Sequence, residues 1–251
     1  MELHFLPYGR VDAILIGDGR KWVFVDGGFR RDGIKAVKYM QGMGIEKLDA
    51  YIATHRHRNH VGAAPVIIRE MKPGVVYTRD ARMKDRTIKL ASGSAEKAAV
   101  QAAHFQVVTI GYNIKVGDLQ FACIGPRKLR KCTAGALAEN HNSLILLLTG
   151  SDTQQRVLLT GDTSASILGQ CSAIEGVSLL KNPHHNGRLP VNILRRIKPK
   201  TVVVCNGKPP AKAYSRTIHS VSANLFTAGA RGDGRVTARF KDGTCHIETT
   251  K

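Results

Sequence analysis

Three histidines fall within six residues in the segment Thr54-His55-Arg56-His57-Arg58-Asn59-His60. Neutral imidazole is a good ligand for Zn²⁺ and similar ions, and a loop at a strand end can aim several imidazoles at one point. His55 and His57 alone would mean little, because alternate residues of any extended segment share a face. His60, at the start of the next helical stretch, turns the pair into a candidate metal loop. Groups of matching type recur later in the chain. Asp162 follows Gly161 at the end of the strand-like run RVLLT, where a carboxylate can take a metal or a hydrogen bond. His184-His185 follows VSLLKN through Pro183 and precedes Asn186-Gly187, and His141 lies in Glu139-Asn140-His141-Asn142-Ser143 just before SLILLL. His219 is placed at the opening of a helix, while His4, His104 and His246 are read as structural or surface groups.

Such groups work only if elements hold them. LHFL, DAILIG and WVFVDG open the chain as β-rich, with Gly17-Asp18-Gly19 as a hairpin signal. Gly33 to Gly42 has helical spacing, with Ile34, Val37 and Met40 on one side. LDAYIAT reads as a short strand running into the histidine segment, and Val61 to Met71 as a helix stopped by Pro73-Gly74. Ala91 to His104 predicts an Ala-rich helix, residues 105–124 two or three strands, and residues 126–139 an irregular basic stretch. SLILLLTG and RVLLTGD predict a hairpin across Ser151–Gln155, and VSLLKNP and TVVVCNG apolar strands. Leu189 to Ile197 and His219 to Ala228 predict helices, and GRVTARF-KDG-TCHIETT a closing hairpin. Strand pairs followed by single helices in both halves imply two sheets with helices on their outer faces, in one domain over residues 1–251.

The chain has 251 residues, 43% of them hydrophobic, enough for a full core and unlike a disordered or fibrous sequence. No apolar run approaches the roughly 20 residues of a membrane helix, and the N-terminal residues lack the pattern of a secretory signal. Five scattered cysteines argue against a disulfide framework and for a reducing compartment, so a cytoplasmic location is expected. Lys and Arg number 38 against 19 Asp and Glu, a formal charge of +19 that favours nucleic acid or another phosphorylated or anionic partner, and no membrane. The basic residues cluster in Arg69 to Lys89, in PRKLRK and in Arg188 to Arg216. Aromatic content is only 6%, so base stacking is a weak expectation.

Taken in order, these motifs resemble the metallo-β-lactamase fold superfamily, and most closely the soluble hydrolase domain of ComEC-type DNA-uptake competence proteins. GRVDAILI and VFVDGG resemble the opening strand and its Asp-Gly-Gly turn. LDAYIATHRHRNHVGA resembles the strand and the Thr-His-x-His-x-Asp-His-x-Gly signature. ENHNSLILLL and RVLLTGD resemble the Asn-Ser-Leu strand and the Leu-Thr-Gly-Asp step, and LLKNPHHNG the Leu-Lys-x-x-His-His-Gly element. Residues 214–244 loosely resemble the closing segment.

The resemblance implies an α/β fold, a four-layer αββα sandwich, with one or two ions of Zn or Mn at the sheet edge and a metal-activated water as nucleophile. It places His55, His57, His60, His141, Asp162 and His185 at metal positions, and Asn59, Asp162 and His184 at catalytic ones. Asp12 and Asp26 match structural aspartates, and either of His184 and His185 matches the late histidine ligand. Arg56, Arg58, Arg188, Arg195 and Arg196 are the expected contacts to an anionic or nucleic-acid ligand. The chain departs from the pattern at Asn59, where the signature has Asp, at Arg10-Val11 in the opening motif, and at His184-His185-Asn186-Gly187. A neutral amide is a poorer metal ligand than a carboxylate and is no base. The leading expectation is a phosphodiesterase or nuclease-like hydrolase. The alternatives are a catalytically degenerate relative that binds a polyanion, and a hydrolase of small lactones, lactams or esters.

Overall fold

The computed structural model describes residues 1–130, 136–150 and 155–251. The first half runs through β1 (Glu2–Phe5), β2 (Ala13–Gly17), β3 (Trp22–Asp26), α1 (Arg30–Gly42), β4 (Ala50–Ala53), α2 (Arg58–Val61) and α3 (Ala64–Met71). It continues with β5 (Val75–Thr78), α4 (Met83–Leu90), α5 (Ser94–Ala102) and β6 (Phe105–Val107). Next come β7 (Asn113–Val116), β8 (Leu119–Gly125), α6 (Ala136–Asn140), β9 (Ile145–Gly150), β10 (Arg156–Leu159), α7 (Ala165–Leu168) and β11 (Leu179–Lys181). Then follow α8 (Val191–Ile197), β12 (Thr201–Cys205), α9 (Lys212–His219), β13 (Asn224–Ala228), β14 (Val236–Lys241) and β15 (Thr244–Thr249).

One sheet has the order β15-β14-β1-β2-β3-β4-β5-β6 and the other β13-β12-β11-β10-β9-β8-β7. In each, an antiparallel half passes into a parallel half, at β3 in the first sheet and at β10 in the second. Period-two alternation sorts the strand residues. Ile14, Ile16, Val23 and Val25 face Phe121, Leu146, Leu148 and Val157 of the opposite sheet in a shared core. Their neighbours Leu15 and Phe24 pack outward with Val37, Met40 and Ile67 of α1 and α3. Leu158, Leu180 and Val202 do the same on the second sheet against Leu168, Leu194 and Ile218 of α7, α8 and α9. Each such buried side chain contributes about 1.5–3 kcal/mol. The result is the expected αββα sandwich.

The elements differ from expectation in four places, one of them α6, a short helix at Ala136–Asn140 that overlaps the stretch 126–139 expected to be irregular. The helix predicted from Val61 to Met71 is two, α2 and α3, broken at Gly62, where a Cβ would meet the Arg58 carbonyl oxygen at 2.4 Å. The helix expected from His219 to Ala228 is instead the end of α9 followed by β13: Ser222 turns left-handed at φ 60°, and Asn224–Ala228 pairs in parallel with β12. His219 therefore closes a helix rather than opening one. Helix α4 falls in a stretch whose sequence shows mainly its basic character, since only Met83 and Thr87 of it are buried. The antiparallel pairing of β9 with β10 agrees with the expected hairpin, whose turn at residues 151–154 lies outside the described residues.

Candidate metal centre

The histidine segment, Asp162 and His184-His185 meet at the carboxyl ends of parallel strands from both sheets, the edge at which open α/β sheets place their ligands. β3 delivers Asp26, β4 delivers Thr54 and the histidine loop, β10 delivers Asp162, β11 delivers His184-His185, and β12 delivers the Cys205 carbonyl.

Asp26 stands at the turn that ends β3. Its own φ is 57°, and Gly27 and Gly28 follow at 142° and 80°, a left-handed run that glycine tolerates. A Cβ on Gly27 would lie 2.8 Å from Ile67, so the turn is also pressed against α3. Held there, Asp26 accepts hydrogen bonds from Thr54 N (2.8 Å), Thr54 Oγ1 (2.7 Å) and His60 Nδ1 (2.7 Å).

These bonds fix the imidazole tautomers. Because Asp26 only accepts, His60 Nδ1 carries a proton and Nε2 is left to face Asp162. Thr54 Oγ1 spends its proton on Asp26, so it accepts from His55 Nδ1 at 3.1 Å, which leaves the His55 Nε2 lone pair on the side of His57 and Asp162. His185 Nδ1 donates to the Cys205 carbonyl at 3.1 Å, which leaves its Nε2 lone pair on the side of Asp162. Three buried histidines thus turn their Nε2 atoms to one point, each oriented by a group behind it, as metal-ligating histidines are.

Asp162 is the common partner. Its Oδ2 lies 3.1 Å from His60 Nε2, 3.6 Å from His185 Nε2, 3.9 Å from His184 Nε2 and 4.0 Å from His55 Nε2. His55 Nε2 and His57 Nδ1 are 3.0 Å apart. Two ligands about 2.1 Å from one tetrahedral ion are about 3.4 Å apart, so these spacings suit a shared ion. His55, His57 and Asp162 form one candidate triad, His60, Asp162 and His185 another, and Asp26, His55 and His60 a third, each with its atoms within 4.8 Å. His60 Nε2 and Asp162 Oδ1 are buried without a hydrogen bond among the described residues.

The electrostatics agree. Burial opposes charge on His60, but Asp162 and Asp26 outweigh it and raise its pKa to about 10. A cluster that draws a proton in between two carboxylates is short of positive charge. Burial, and then the charge on His60, pushes His55 well below the usual imidazole range and His57 below it. Burial also opposes ionisation of Asp162, yet His60, His185 and Lys181 hold its carboxyl well below the usual range. The residues present fit a divalent cation.

Several residues support the candidate ligands from behind. Lys181 is fully buried, pairs with Asp12 and donates to the Gly161 carbonyl at 2.9 Å. Asn182 donates to the carbonyls of His185 (2.7 Å) and Gly187 (2.9 Å), and its Oδ1 accepts from Tyr214 Oη at 2.7 Å. That staple holds His184 and His185 at φ 49° and 57°. Ser143 Oγ accepts from Asp162 N at 3.0 Å. Asn140 lies 3.4 Å from His184 Nε2, whereas His141 belongs to none of the ligand groups.

Among the arginines expected at the site, Arg58 lines a cleft of about 480 Å³ together with Arg10, Phe29, His57, Asn59, Asn140, Asp162 and His184. Arg56 is clasped by Glu139, through Nε at 3.1 Å and Nη2 at 2.7 Å, and does not line that cleft. Arg196 is tied to Glu175 and to the carbonyls of Gly169 and Cys171. Arg195 is exposed on α8. Arg188 borders a neighbouring hollow with Asn186 and Lys208.

The sequence profile of the metallo-beta-lactamase superfamily matches residues 6–204, and the chain belongs to that superfamily. It is 24% identical over 180 residues to ComE operon protein 3 of Bacillus subtilis (strain 168), a match covering 68% of this chain and only 22% of that protein. Among solved structures it resembles the metallo-beta-lactamase fold protein YhfI of Bacillus subtilis, with a TM-score of 0.61, 13% identity, and coverage of 94% of this chain and 99% of that one. It also resembles Igni18, a metallo hydrolase of the archaeon Ignicoccus hospitalis, with a TM-score of 0.61, 15% identity, and coverage of 96% and 100%. No helix among the described residues is long and apolar enough to cross a membrane.

Proposed function

We propose that the chain is a metal-dependent hydrolase of phosphodiester-like substrates, nucleic acid foremost, with Zn or Mn held by His55, His57, His60, Asp162 and His185. The observation that carries this reading is the convergence of three histidine Nε2 atoms on Asp162 beneath a cleft rimmed by Arg10 and Arg58. A divalent ion there lowers the pKa of its water and neutralises charge on the attacked oxygens. The chain's own groups do the rest. Asp26 and the Cys205 carbonyl hold His60 and His185 in register. Arg10 and Arg58 draw an anionic group to the cleft. His184, with Nε2 between Asn140 and Asp162 and its side chain 33% exposed, is placed to pass a proton to a leaving oxygen.

The test measures bound transition metal per chain after chelator-free purification, together with hydrolysis of bis(p-nitrophenyl) phosphate, a lactone and a lactam in Mn²⁺ or Zn²⁺. Metal near stoichiometry with turnover of the phosphodiester alone supports the reading. Less than about one-tenth of an ion per chain defeats it. Metal with salt-sensitive oligonucleotide binding but no turnover would favour a binding relative, the reading that Asn59 motivates.

A further inference from the structure

Asn59 Nδ2 lies 3.4 Å from the Arg10 carbonyl and 3.1 Å from His185 Nε2. A carbonyl only accepts, so the end of the amide that faces it is the NH₂ group. The proton of His185 is already on Nδ1, toward Cys205. The amide therefore donates into the His185 Nε2 lone pair, the same lone pair an ion would use. Of the two triads that each pair two histidines with Asp162, the one with His60 and His185 has a donor atom taken in this way. The one with His55 and His57 does not face this amide: its contact, His57 Nδ1 to His55 Nε2 at 3.0 Å, lies between two of its own candidate ligands rather than with an outside group.

Charge points the same way. Lys181 pairs with Asp12, and His60 bridges Asp26 and Asp162, so the buried carboxylates already have partners and call for no second divalent ion. On the Asn59 side of the cleft the cations are instead guanidiniums. Arg10 and Arg58 are exposed and make no ion pair or side-chain hydrogen bond among the described residues, although Arg56, Arg82 and Arg196 all do.

We propose that this chain holds a single divalent ion, on His55, His57 and Asp162, that Asn59 occupies His185 in place of a second, and that Arg10 and Arg58 supply the missing positive charge as a clamp for a phosphoryl group. Guanidinium suits that task, being permanently charged and forked to match two phosphate oxygens. The inference rests on the metal-site reading above, and the measurements separate the two.

The full chain is loaded with Zn²⁺ or Mn²⁺, dialysed, and assayed for metal by mass spectrometry and for inorganic phosphate binding by calorimetry. One ion per chain is expected, kept in His185→Gln, lost in His57→Gln, and raised to two in Asn59→Asp. In Arg10→Gln/Arg58→Gln the metal content stays at one while phosphate binding weakens at least about tenfold. Two ions in the unaltered chain, or one ion in folded Asn59→Asp, overturns the role of Asn59. Should Asn59→Asp fail to fold, the count in the unaltered chain and the His57 and His185 pair decide alone. Unchanged phosphate affinity in the arginine variant overturns the clamp. No ion in the unaltered chain overturns the metal reading itself.

Discussion

Asp26 shows how much one residue can organise. It satisfies two Thr54 donors and sets the tautomer of His60, all from a left-handed backbone conformation. Asp26→Ala should weaken metal binding by about 10–100-fold and destabilise the fold by about 3 kcal/mol, read by competition with a chelator and by urea unfolding. Unchanged affinity in the folded variant would refute the orienting role. Lys181 makes a second test. Lys181→Met leaves Asp12 buried without its main partner and should lose about 3–5 kcal/mol, most of it recovered in Lys181→Met/Asp12→Leu. Equal losses in the single and double variants would show that the pair does not act as a unit. Asp26 was legible in the sequence through the resemblance of VFVDGG to the family's Asp-Gly-Gly turn. Lys181 matched the Lys of the Leu-Lys-x-x-His-His-Gly element, but its role was not legible, because only its distant partner Asp12 explains its burial.

The elements matter through the loops they anchor. Asn182 and Tyr214 tie the His184-His185 turn to α9, and Tyr214 Oη also accepts from Leu189 N at 3.1 Å. Tyr214→Phe should cost about 1–3 kcal/mol in unfolding free energy and speed amide exchange at residues 184–189, whereas exchange confined to α9 would mean the tie is not what holds the turn. On the other flank, the Arg56–Glu139 clasp binds the histidine loop to α6. Strands were the easier part to read, since apolar runs such as those of β2 and β3 alternate between the two cores. The α9–β13 boundary was misplaced because Asn224-Leu225-Phe226-Thr227-Ala228 suits either state in isolation. Its pairing with β12, 23 residues earlier at Thr201↔Asn224, decides for strand.

At the scale of the whole molecule, the candidate ligands come from both sheets: His55, His57 and His60 follow β4 of one, and Asp162 and His185 follow β10 and β11 of the other. An ion bound there would cross-link the two halves, so chelation should lower the unfolding midpoint by an amount that grows with metal affinity. The stability lost is about 2.7 kcal/mol for free metal at roughly 100 times Kd, and an unchanged midpoint in calorimetry would sink the cross-link. The +19 charge also takes on an address. Arg82, Arg56 and Arg196 are tied to Asp80, Glu139 and Glu175, and Arg79 to backbone carbonyls, while Arg10 and Arg58 make no ion pair or side-chain hydrogen bond among the described residues. Single-stranded oligonucleotide binding should thus lose about one unit of salt slope with each of Arg10→Gln and Arg58→Gln, whereas Arg196→Gln should leave the slope as it was.

The sheet order has a consequence for synthesis. β1 pairs with β14, Glu2 opposite Arg239, so β1 is made long before the strand that covers its edge. Until β14 leaves the ribosome, one edge of β1 stays open, and Leu3 and Phe5 lack the covering that Val236, Ala238 and Phe240 give the same core. While residues 6–235 are made, the domain therefore carries an open apolar strand edge, which makes chaperone contact and the rate of translation through residues 236–249 matters of yield.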